Sequence, residues 1–390
     1  MLSVDFFQQA VQNIIMKLEN QTILITSNEP WGDIWYSKQN YAYELSKKNR
    51  VIFSNPPTRW STKNLFRNPP IQQGHYNENL SFISYENFLP IRSNFLNRTN
   101  DKWVAKKIKK ELHKQGIKDY IVWAFDPNRL YTPAQLGAKY SIYHCVDYYY
   151  SQYLGEANLC ENSDLIFATS QKFLDEYTQF KKPQYVVPHG ISSEEFSLDS
   201  QQLEATTDME VEDYGLYVGV IDHRMDFDLL EEALKYFPHQ PFVFVGPLRL
   251  PPNKEAAKRI FEQKLYKNVY AIGPRHFKTL KYYIKKAKFC ISFMDMEYHP
   301  NIVHHHKTLV YLSQGKPTFG PIFTEYANLK DILYMDNDGR SQLEMLENFI
   351  KNGEDSSLEA KRIAHAQKYT FENVLTKASN IIHKHTPNLD

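Results

Sequence analysis

The residue types best suited to binding an anion are three histidines and a lysine in one run: His304, His305, His306 and Lys307. An apolar run over 289–293 predicts a buried strand before them, and apolar residues at helical spacing after them predict a helix that Gly315 ends. Imidazole and ammonium groups beside the N–H groups of a helix start suit a diphosphate. A solvated helix start and a fortuitous metal site are the alternatives that these residues leave open.

Two aspartates each come directly after a predicted strand. Asp126 follows Tyr120–Phe125, and Asp147 follows Tyr140–Val146. A carboxylate at such a position can act as a general base that removes a proton from a bound hydroxyl. We rank Asp147 first and Asp126 second for this catalytic role. The alternative for both is a helix-capping or turn aspartate.

The loop after the first predicted strand, Thr22–Thr26, carries acidic and aromatic side chains: Glu29, Trp31 and Asp33. It has no GxGxxG pattern, so a dinucleotide-binding N-terminal domain is not expected. These side chains suit a hydroxylated ligand better than a phosphate. We therefore take them as candidate acceptor-binding residues.

The elements that position these residues alternate between strand and helix along the chain, which predicts an α/β protein with parallel sheets. We expect a first domain over 1–191, beginning with an amphipathic helix at 3–18, and a polar, acidic linker over 192–213. The pattern restarts over 214–368, and 369–390 form a C-terminal helix that can pack back on the first domain.

Composition excludes several classes of protein. Lys and Arg number 46 against 45 Asp and Glu, so no global charge points to nucleic acid. The three cysteines are scattered and form neither a disulfide framework nor a metal-binding pattern. We expect no metal and no cofactor. The nearest look-alike to a metal-binding pair, Asp295-Met296-Glu297, is interpreted as a polar loop in which Glu297 accepts a hydroxyl.

We expect a cytoplasmic protein, because the sequence contains no signal peptide and no apolar run long enough to span a bilayer. The segment 56–98 is interpreted as irregular and basic. In the helix predicted over 102–114, Trp103, Val104, Ile108 and Leu112 lie near one face, with lysines over the rest. Such a helix can lie on an anionic membrane surface. The alternative is a surface helix that packs its apolar stripe on the sheet.

Five segments resemble, in order, motifs of retaining family-four glycosyltransferases: VPHGI at 187–191, YVGVIDHR at 217–224, NVYAIGP at 268–274, HKTLVYLSQGKP at 306–317 and YTFEN at 369–373. The region 31–57 is similar to exopolysaccharide and teichuronic-acid-type transferases of bacteria. The resemblance implies the GT-B fold, in which two Rossmann-like parallel-sheet domains face a central cleft.

The resemblance also implies a donor site in the second domain, with Arg224 and Lys307 on the diphosphate and the three histidines as hydrogen-bond donors. The full set of candidate donor-binding residues is Gly219, His223, Arg224, Gly246, Gly273, Arg275, Glu297, His304, His305, His306, Lys307 and Tyr311. The chain departs from the family at Val310, where a glutamate usually binds the ribose. A partly similar glucuronosyltransferase of xanthan assembly, which is membrane-associated and inverting, also lacks this glutamate and has an acidic residue where Asp147 stands.

The expected activity is therefore metal-independent transfer of a hexosyl or uronosyl group from a nucleotide sugar, with a UDP-sugar favoured. The expected acceptor is a glycan or lipid-linked saccharide in cell-surface polysaccharide synthesis, at the inner face of the plasma membrane. Two alternative functions remain. One is a sugar-nucleotide epimerase of the same fold. The other is a non-catalytic sugar- or partner-binding protein, which the absence of the ribose-binding glutamate at Val310 favours.

Overall fold

The structure is a computed structural model that describes residues 18–32, 35–58, 60, 62–65, 69–91, 93–147, 149, 154–199, 211–297 and 306–386. The helix expected over 3–18 lies almost entirely outside these ranges. The chain forms two compact units. Unit 1 comprises Met1–Gly190 and Phe371–Asp390, and unit 2 comprises Ile191–Thr370.

Unit 1 contains an eight-stranded sheet in the order β3-β4-β2-β1-β5-β6-β7-β8. Its strands are β1 Thr22–Thr26, β2 Arg50–Ser54, β3 Gln72–His75, β4 Leu80–Ser84, β5 Ile121–Ala124, β6 Tyr140–Cys145, β7 Leu165–Ala168 and β8 Gln184–Val186. The pairings are parallel except for the edge strand β3, which runs antiparallel to β4. The carboxyl ends of β1, β5 and β6 therefore lie at one edge, where their following loops carry Glu29, Asp126 and Asp147.

The helices described in unit 1 are α1 Ser37–Ser46, α2 Asn94–Lys114, α3 Pro133–Leu136, α4 Leu154–Asn162, α5 Gln171–Asp175 and, from the far end of the chain, α12 Phe371–His385. Side-chain caps fix several starts. The Ser93 hydroxyl accepts a hydrogen bond from the N–H of Leu96 at 3.3 Å and begins α2. Ser170 caps α5 in the same way through the N–H of Lys172.

The core of unit 1 joins sheet residues to the last helix of the chain. Ile25, Phe53 and Trp123 pack in one apolar cluster with Phe371 and Ile382 of α12. The N–H of Leu18 also donates a hydrogen bond of 2.8 Å to the Ser379 hydroxyl of α12. The C-terminal helix is thus an integral part of unit 1.

Unit 2 contains a six-stranded parallel sheet in the order β11-β10-β9-β12-β13-β14. Its strands are β9 Gly215–Val218, β10 Phe242–Val245, β11 Val269–Gly273, β12 Phe289–Ile291, β13 Thr318–Gly320 and β14 Tyr334–Met335. The strand order reverses at β9, where the chain leaves for β10 on one side and later returns through β12 on the other. Ligands of open α/β sheets bind at the carboxyl ends of strands beside such a reversal.

The helices described in unit 2 are α6 Phe227–Tyr236, α7 Glu255–Ala257, α8 Leu280–Lys286, α9 His306–Ser313, α10 Gly339–Asn352 and α11 Ser357–Gln367. Gly315 ends the turn after α9 with a positive φ of 73°. The carbonyl of Gly315 accepts a hydrogen bond of 3.2 Å from the buried guanidinium of Arg362 on α11, which also forms a bidentate pair with Glu354. This network holds the C-terminal end of α9 in place.

The predicted α/β class, with a parallel sheet in each of two units, is confirmed. The interpretation of 56–98 as irregular was wrong in part, because this segment contains β3 and β4. β3 reads Gln-Gln-Gly-His and lies exposed at the sheet edge, so it has no apolar pattern to reveal it. In α2, Val104, Ile108 and Leu112 are buried in unit 1, as the surface-helix alternative predicts, whereas Trp103 is 49% exposed.

Candidate functional site

Glycines stand at the carboxyl ends of three adjacent strands of unit 2. Gly219, Gly246 and Gly273 follow or end β9, β10 and β11, with φ values of 137°, 152° and 74°. A Cβ on Gly246 would clash with the carbonyl oxygen of Gly219. The N–H of Gly246 donates to the carbonyl of Gly273 at 3.0 Å. The contact between the loops after β9 and β10 therefore leaves no room for a Cβ on Gly246. Because these glycines have no side chain, a ligand can approach their backbone.

Lys307 lies beside this row of glycines. It is the second residue of α9, and its ammonium group donates a hydrogen bond of 2.8 Å to the Tyr217 hydroxyl. A Cβ on Gly219 would clash with the same ammonium group. The Tyr217 hydroxyl in turn donates to the carbonyl of Val220 at 3.0 Å. A cation and a helix start thus meet the loop after β9, as an anion site requires.

A second tyrosine fastens α9 to β9. The buried hydroxyl of Tyr311 accepts a hydrogen bond of 2.9 Å from the N–H of Val218, and burial raises the pKa of Tyr311 well above its ordinary value. We expected Tyr311 among the donor-binding residues. Its complete burial instead gives it a contact that sets the position of α9 relative to the strand.

The other expected donor-site residues are the histidines before and at the start of α9, two residues on loops, and Arg275. His304 and His305 lie outside the described residues, and His306 is the half-buried first residue of α9. His223 and Glu297 are exposed on loops after β9 and β12. Arg275 donates to the carbonyl of Ile272 at 2.6 Å, so it stabilises the end of β11.

Arg224 is held by its neighbour Asp222. The guanidinium donates twice to this carboxylate, at 2.8 Å and 2.9 Å. Burial opposes ionisation of Asp222, but the hydrogen bonds and charge of Arg224 outweigh it, so the pKa of Asp222 lies below its ordinary value. The same loop is tied to β12 by the N–H of Asp295, which donates to the carbonyl of Arg224 at 2.9 Å. Arg224 therefore has a fixed orientation on this loop.

Val310, which stands where the similar family has a ribose-binding glutamate, is half-buried on α9. It packs against two apolar clusters of unit 2, one with Leu309 and Leu312 and one with Leu216 and Val245. An apolar side chain takes the place of the expected carboxylate.

In unit 1, Asp147 lies two residues beyond β6, and its side chain is 63% exposed. Two groups of the described residues contact its Oδ2 atom: the Lys38 ammonium at 3.3 Å and the Tyr149 hydroxyl at 3.2 Å. Lys38 also forms an ion pair of 2.9 Å with Glu29. The structure thus brings together Asp147 and Glu29, which we predicted separately, through a lysine that we did not.

Burial alone would lower the pKa of Lys38, but the charges of Asp147 and Glu29 outweigh it and raise that pKa above its ordinary value. The lysine is therefore an ammonium ion in the fold. Helical periodicity gave no signal for it, because a lysine near a helix start is most often a surface residue. The available hint was a glutamate and an aspartate after β1 and β6, the two strands on either side of β5.

Trp31 lies in a cluster of aromatic rings. Its ring is 5.3 Å from Trp35, 5.1 Å from Tyr76 and 5.2 Å from Phe53, and its backbone N–H donates to the side-chain oxygen of Asn55 at 2.7 Å. Asp33 lies outside the described residues. The loop after β1 therefore carries a partly exposed aromatic surface next to Glu29.

Asp126 has a different environment from Asp147. It is buried, accepts a hydrogen bond from the N–H of Asn128 at 2.8 Å and pairs with Arg129 at 2.7 Å. These contacts are those of a turn aspartate. Asp101 of α2 is also buried nearby, and burial raises its pKa to about 7.

Among the described residues, no group of three or more His, Cys, Asp or Glu side chains could hold a metal ion. In the same part of the chain, no helix is both long and apolar enough to cross a membrane.

No protein-family model matches the sequence, and no curated protein matches it. Solved structures do match. Sucrose-phosphate synthase from Thermosynechococcus elongatus has a TM-score of 0.68 at 13% identity, over 94% of this chain and 99% of that one. HepE from Anabaena, solved with UDP and glucose, has a TM-score of 0.68 at 14% identity, over 95% and 100%. The UDP-forming trehalose-phosphate synthase from Burkholderia xenovorans has a TM-score of 0.64 at 12% identity, over 95% and 99%.

The fold is GT-B. At identities of 12–14% the likeness concerns the fold, and it covers nearly the full length of each chain. The GT-B fold that the sequence resemblance implied is confirmed, while membership of the family-four exopolysaccharide type stays a prediction.

Proposed function

We propose that this GT-B protein transfers a sugar from a nucleoside-diphosphate sugar, with a UDP-sugar favoured, to a hydroxyl of a saccharide acceptor. The observation that carries the proposal is the position of Lys307. Its ammonium group lies at the carboxyl end of β9, against Gly219 and at the start of α9. Similar solved structures of this fold include one with UDP and glucose bound.

Unit 2 would bind the donor. Negative charge develops on the leaving diphosphate during transfer, and preorganised cations and helix N–H groups stabilise it. We assign Lys307 and Arg224 to this charge, with His223, His304, His305 and His306 as further hydrogen-bond donors. Gly219, Gly246 and Gly273 would let the backbone approach the nucleotide, with Arg275 and Tyr311 supporting the strand ends and Glu297 near the donor sugar.

Unit 1 would bind the acceptor. Asp147 is the proposed general base, since its carboxylate is exposed at a strand end, whereas Asp126 is buried and paired. Glu29 and Trp31 lie on the neighbouring loop and suit a hydroxylated ring, to which Asp33 of the same loop would contribute. Transfer by direct displacement would invert the configuration of the donor sugar.

The acceptor is proposed to be a glycan or lipid-linked saccharide of the cell surface, reached from the inner face of the plasma membrane. The support is the outer face of α2. Lys102, Lys106 and Lys110 lie exposed at four-residue intervals, with Trp103 beside them and Phe95, 76% exposed, about two turns closer to the N-terminus of α2. Like charges at this spacing destabilise a helix, so their placement favours an anionic binding surface.

Val310 favours a second candidate, a GT-B protein that binds sugar or a partner without transfer, since the usual ribose contact is replaced by apolar packing. A sugar-nucleotide epimerase is the third. All three are separated by one experiment. Calorimetry with UDP, GDP and CMP tests nucleotide binding, and turnover of the matching sugar nucleotide is then measured with and without a lipid-linked saccharide.

Turnover that requires the acceptor, with a new glycosidic product, supports transfer. Turnover without acceptor identifies the epimerase or a hydrolase. Nucleotide binding without any turnover identifies the binding protein, and absence of binding by all three nucleotides contradicts the proposal.

A further inference from the structure

Lys38 is unusual for a lysine both in its place on the helix and in its burial. It is the second residue of α1, where the positive end of the helix dipole disfavours a cation. It is 1% exposed, although lysine is among the residue types least often buried. Its burial also removes the ammonium group from water, which is unfavourable unless the charge is paired. Residues that contradict local preference in this way are expected at functional sites.

Two carboxylates from separate strand ends compensate the buried charge. Glu29 follows β1 and lies 2.9 Å from the Lys38 ammonium, while Asp147 follows β6 and lies 3.3 Å from it. The two acids differ in exposure, at 25% for Glu29 and 63% for Asp147. The Lys38 ammonium thus lies between the more buried carboxylate of Glu29 and the more exposed carboxylate of Asp147.

Among the described residues, the side-chain contacts to Asp147 fall on one oxygen. The Lys38 ammonium and the Tyr149 hydroxyl both donate to Oδ2. The backbone carbonyl of Asp147 separately accepts a hydrogen bond from the Cys145 thiol at 3.0 Å. Backbone and side chain are therefore both held, and the second carboxylate oxygen, Oδ1, is the one we assign to the substrate.

We propose that Lys38 is a positioning residue that keeps Asp147 as an oriented carboxylate, with Glu29 as the counter-charge that limits how strongly the lysine holds it. The inference rests on the proposed function. In the transfer step the acceptor hydroxyl gives its proton to Oδ1 of Asp147, and its oxygen forms the new bond to the anomeric carbon. The bond from that carbon to the diphosphate breaks, and the electron pair leaves with the diphosphate.

In the described part of unit 1, the charged and titratable groups around this carboxylate come from four elements. They are Glu29 from the loop after β1, Lys38 from α1, Cys145 and Tyr149 from β6 and its loop, and Asp126 from the loop after β5. Of these, Lys38 is the cation that touches Asp147. Removal of its charge therefore disfavours the ionised carboxylate, and removal of the Glu29 charge has the opposite effect.

The experiment measures the pH dependence of kcat for the full-length chain and for Lys38→Met and Glu29→Gln. Loss of the lysine charge should move the acidic limb of the profile to higher pH by about 1–3 units. Glu29→Gln should move the limb to lower pH. Lys38→Arg, which keeps a cation, should restore most of the wild-type profile. Lys48→Met is the matched control, because it breaks the Lys48–Glu19 ion pair of 2.7 Å, which is on the surface of the same unit, and should leave the limb in place.

Opposite shifts in the two variants support the inference, since loss of folding alone would lower activity without moving the limb in two directions. Limbs that stay in place, or move together, in variants that still bind UDP overturn it. If Lys38→Met does not fold, Glu29→Gln decides the question by itself. A wild-type protein that binds no nucleotide refutes the proposed function, whereas one that transfers sugar with no acidic limb refutes this assignment alone.

Discussion

The ammonium group of Lys307 donates a hydrogen bond of 2.8 Å to the hydroxyl of Tyr217 and lies 4.4 Å from the centroid of the same ring. Tyr217 belongs to β9 and Lys307 to α9, so one side-chain contact joins the strand end to the helix start. The lysine is held against Gly219 before any ligand is bound. A cation positioned in advance loses less conformational entropy when a diphosphate arrives.

Lys307→Ala should weaken binding of the nucleoside diphosphate by about 1.5–3 kcal/mol, because a charge-assisted hydrogen bond is lost. Tyr217→Phe keeps the ring and removes the hydroxyl, so it should weaken binding by a smaller amount, about 0.5–1.5 kcal/mol. Titration calorimetry measures both. Tyr214→Phe is the matched control, since its buried hydroxyl donates to the Tyr283 carbonyl at 2.7 Å and does not touch the lysine. Unchanged affinity in a folded Lys307→Ala variant would refute the assignment.

Asp147→Asn should lower kcat by about 10²–10⁴-fold, because the amide keeps the shape of the carboxylate but removes its basicity. Nucleotide affinity should stay the same, since the proposed donor residues belong to unit 2. Steady-state kinetics and calorimetry on the same preparation test both statements. Near wild-type turnover would place the base elsewhere or indicate a retaining enzyme, and NMR of the product anomer separates those two outcomes.

His144 should make unit 1 less stable in acid. The ring is fully buried, accepts from the Trp123 indole at 3.3 Å and donates to the Val187 carbonyl at 3.1 Å. Burial lowers its pKa from 6.5 to about 3, so between these values the unfolded chain binds a proton that the folded chain does not. The stability present above pH 6.5 is therefore lost as pH falls, by about 2–3 kcal/mol between pH 6 and pH 4.

His144→Gln should flatten this dependence, while His113→Gln, at an exposed position of α2, should not. Urea unfolding followed by tryptophan fluorescence is the suitable measurement, because all five tryptophans of the chain lie in unit 1. An unchanged slope in His144→Gln would mean that the histidine is not kept neutral by the fold.

Asp101 should act in the opposite direction. Burial raises its pKa from 3.8 to about 7, partly offset by the N–H groups of Leu130 and Tyr131. Its contribution to stability is complete below pH 4 and is lost as pH rises through 7. Asp101→Asn imitates the protonated form and should stabilise unit 1 at pH 8 by on the order of 3–4 kcal/mol, with little effect at pH 4. A variant that is equally or less stable at pH 8 would show that the carboxyl is ionised without penalty.

The outer face of α2 should bind anionic vesicles. Replacing Lys102, Lys106 and Lys110 by glutamine should weaken sedimentation with phosphatidylserine-containing vesicles by roughly 3 kcal/mol, at about 1 kcal/mol for each lysine. Binding by the wild type should also fall as salt rises. The matched control replaces three exposed lysines of unit 2, Lys267, Lys286 and Lys361. Equal binding to neutral vesicles, or by both triple variants, would show that α2 is an ordinary surface helix.

The strand–helix order of both units was predictable because buried parallel strands form short apolar runs between helical segments. The same pattern predicted the glycines at three strand ends, Gly219, Gly246 and Gly273, and the helix start that carries Lys307. The edge strand β3 was missed, since its residues are polar and it pairs with β4 at the edge of the sheet. Lys38 and Tyr217 were also missed, because their roles depend on contacts with residues 90 or more positions away. Sequence patterns report local periodicity, whereas these pairings exist only in the folded chain.

Because α12 belongs to unit 1, this unit can complete its fold only after the whole of unit 2 has been synthesised. Phe371 packs edge-on against Tyr41, with ring centroids 5.1 Å apart, yet the ribosome adds Phe371 to the chain long after Tyr41. Unit 1 is interrupted between Gly190 and Phe371, so at 5–20 residues per second its last helix follows about 10–40 s after the rest. Unit 2 has all of its residues before unit 1 does, although it starts later. During that interval the first-made part of the nascent chain has an open apolar surface that a chaperone could cover, and a message cut short before Phe371 would leave that surface open permanently.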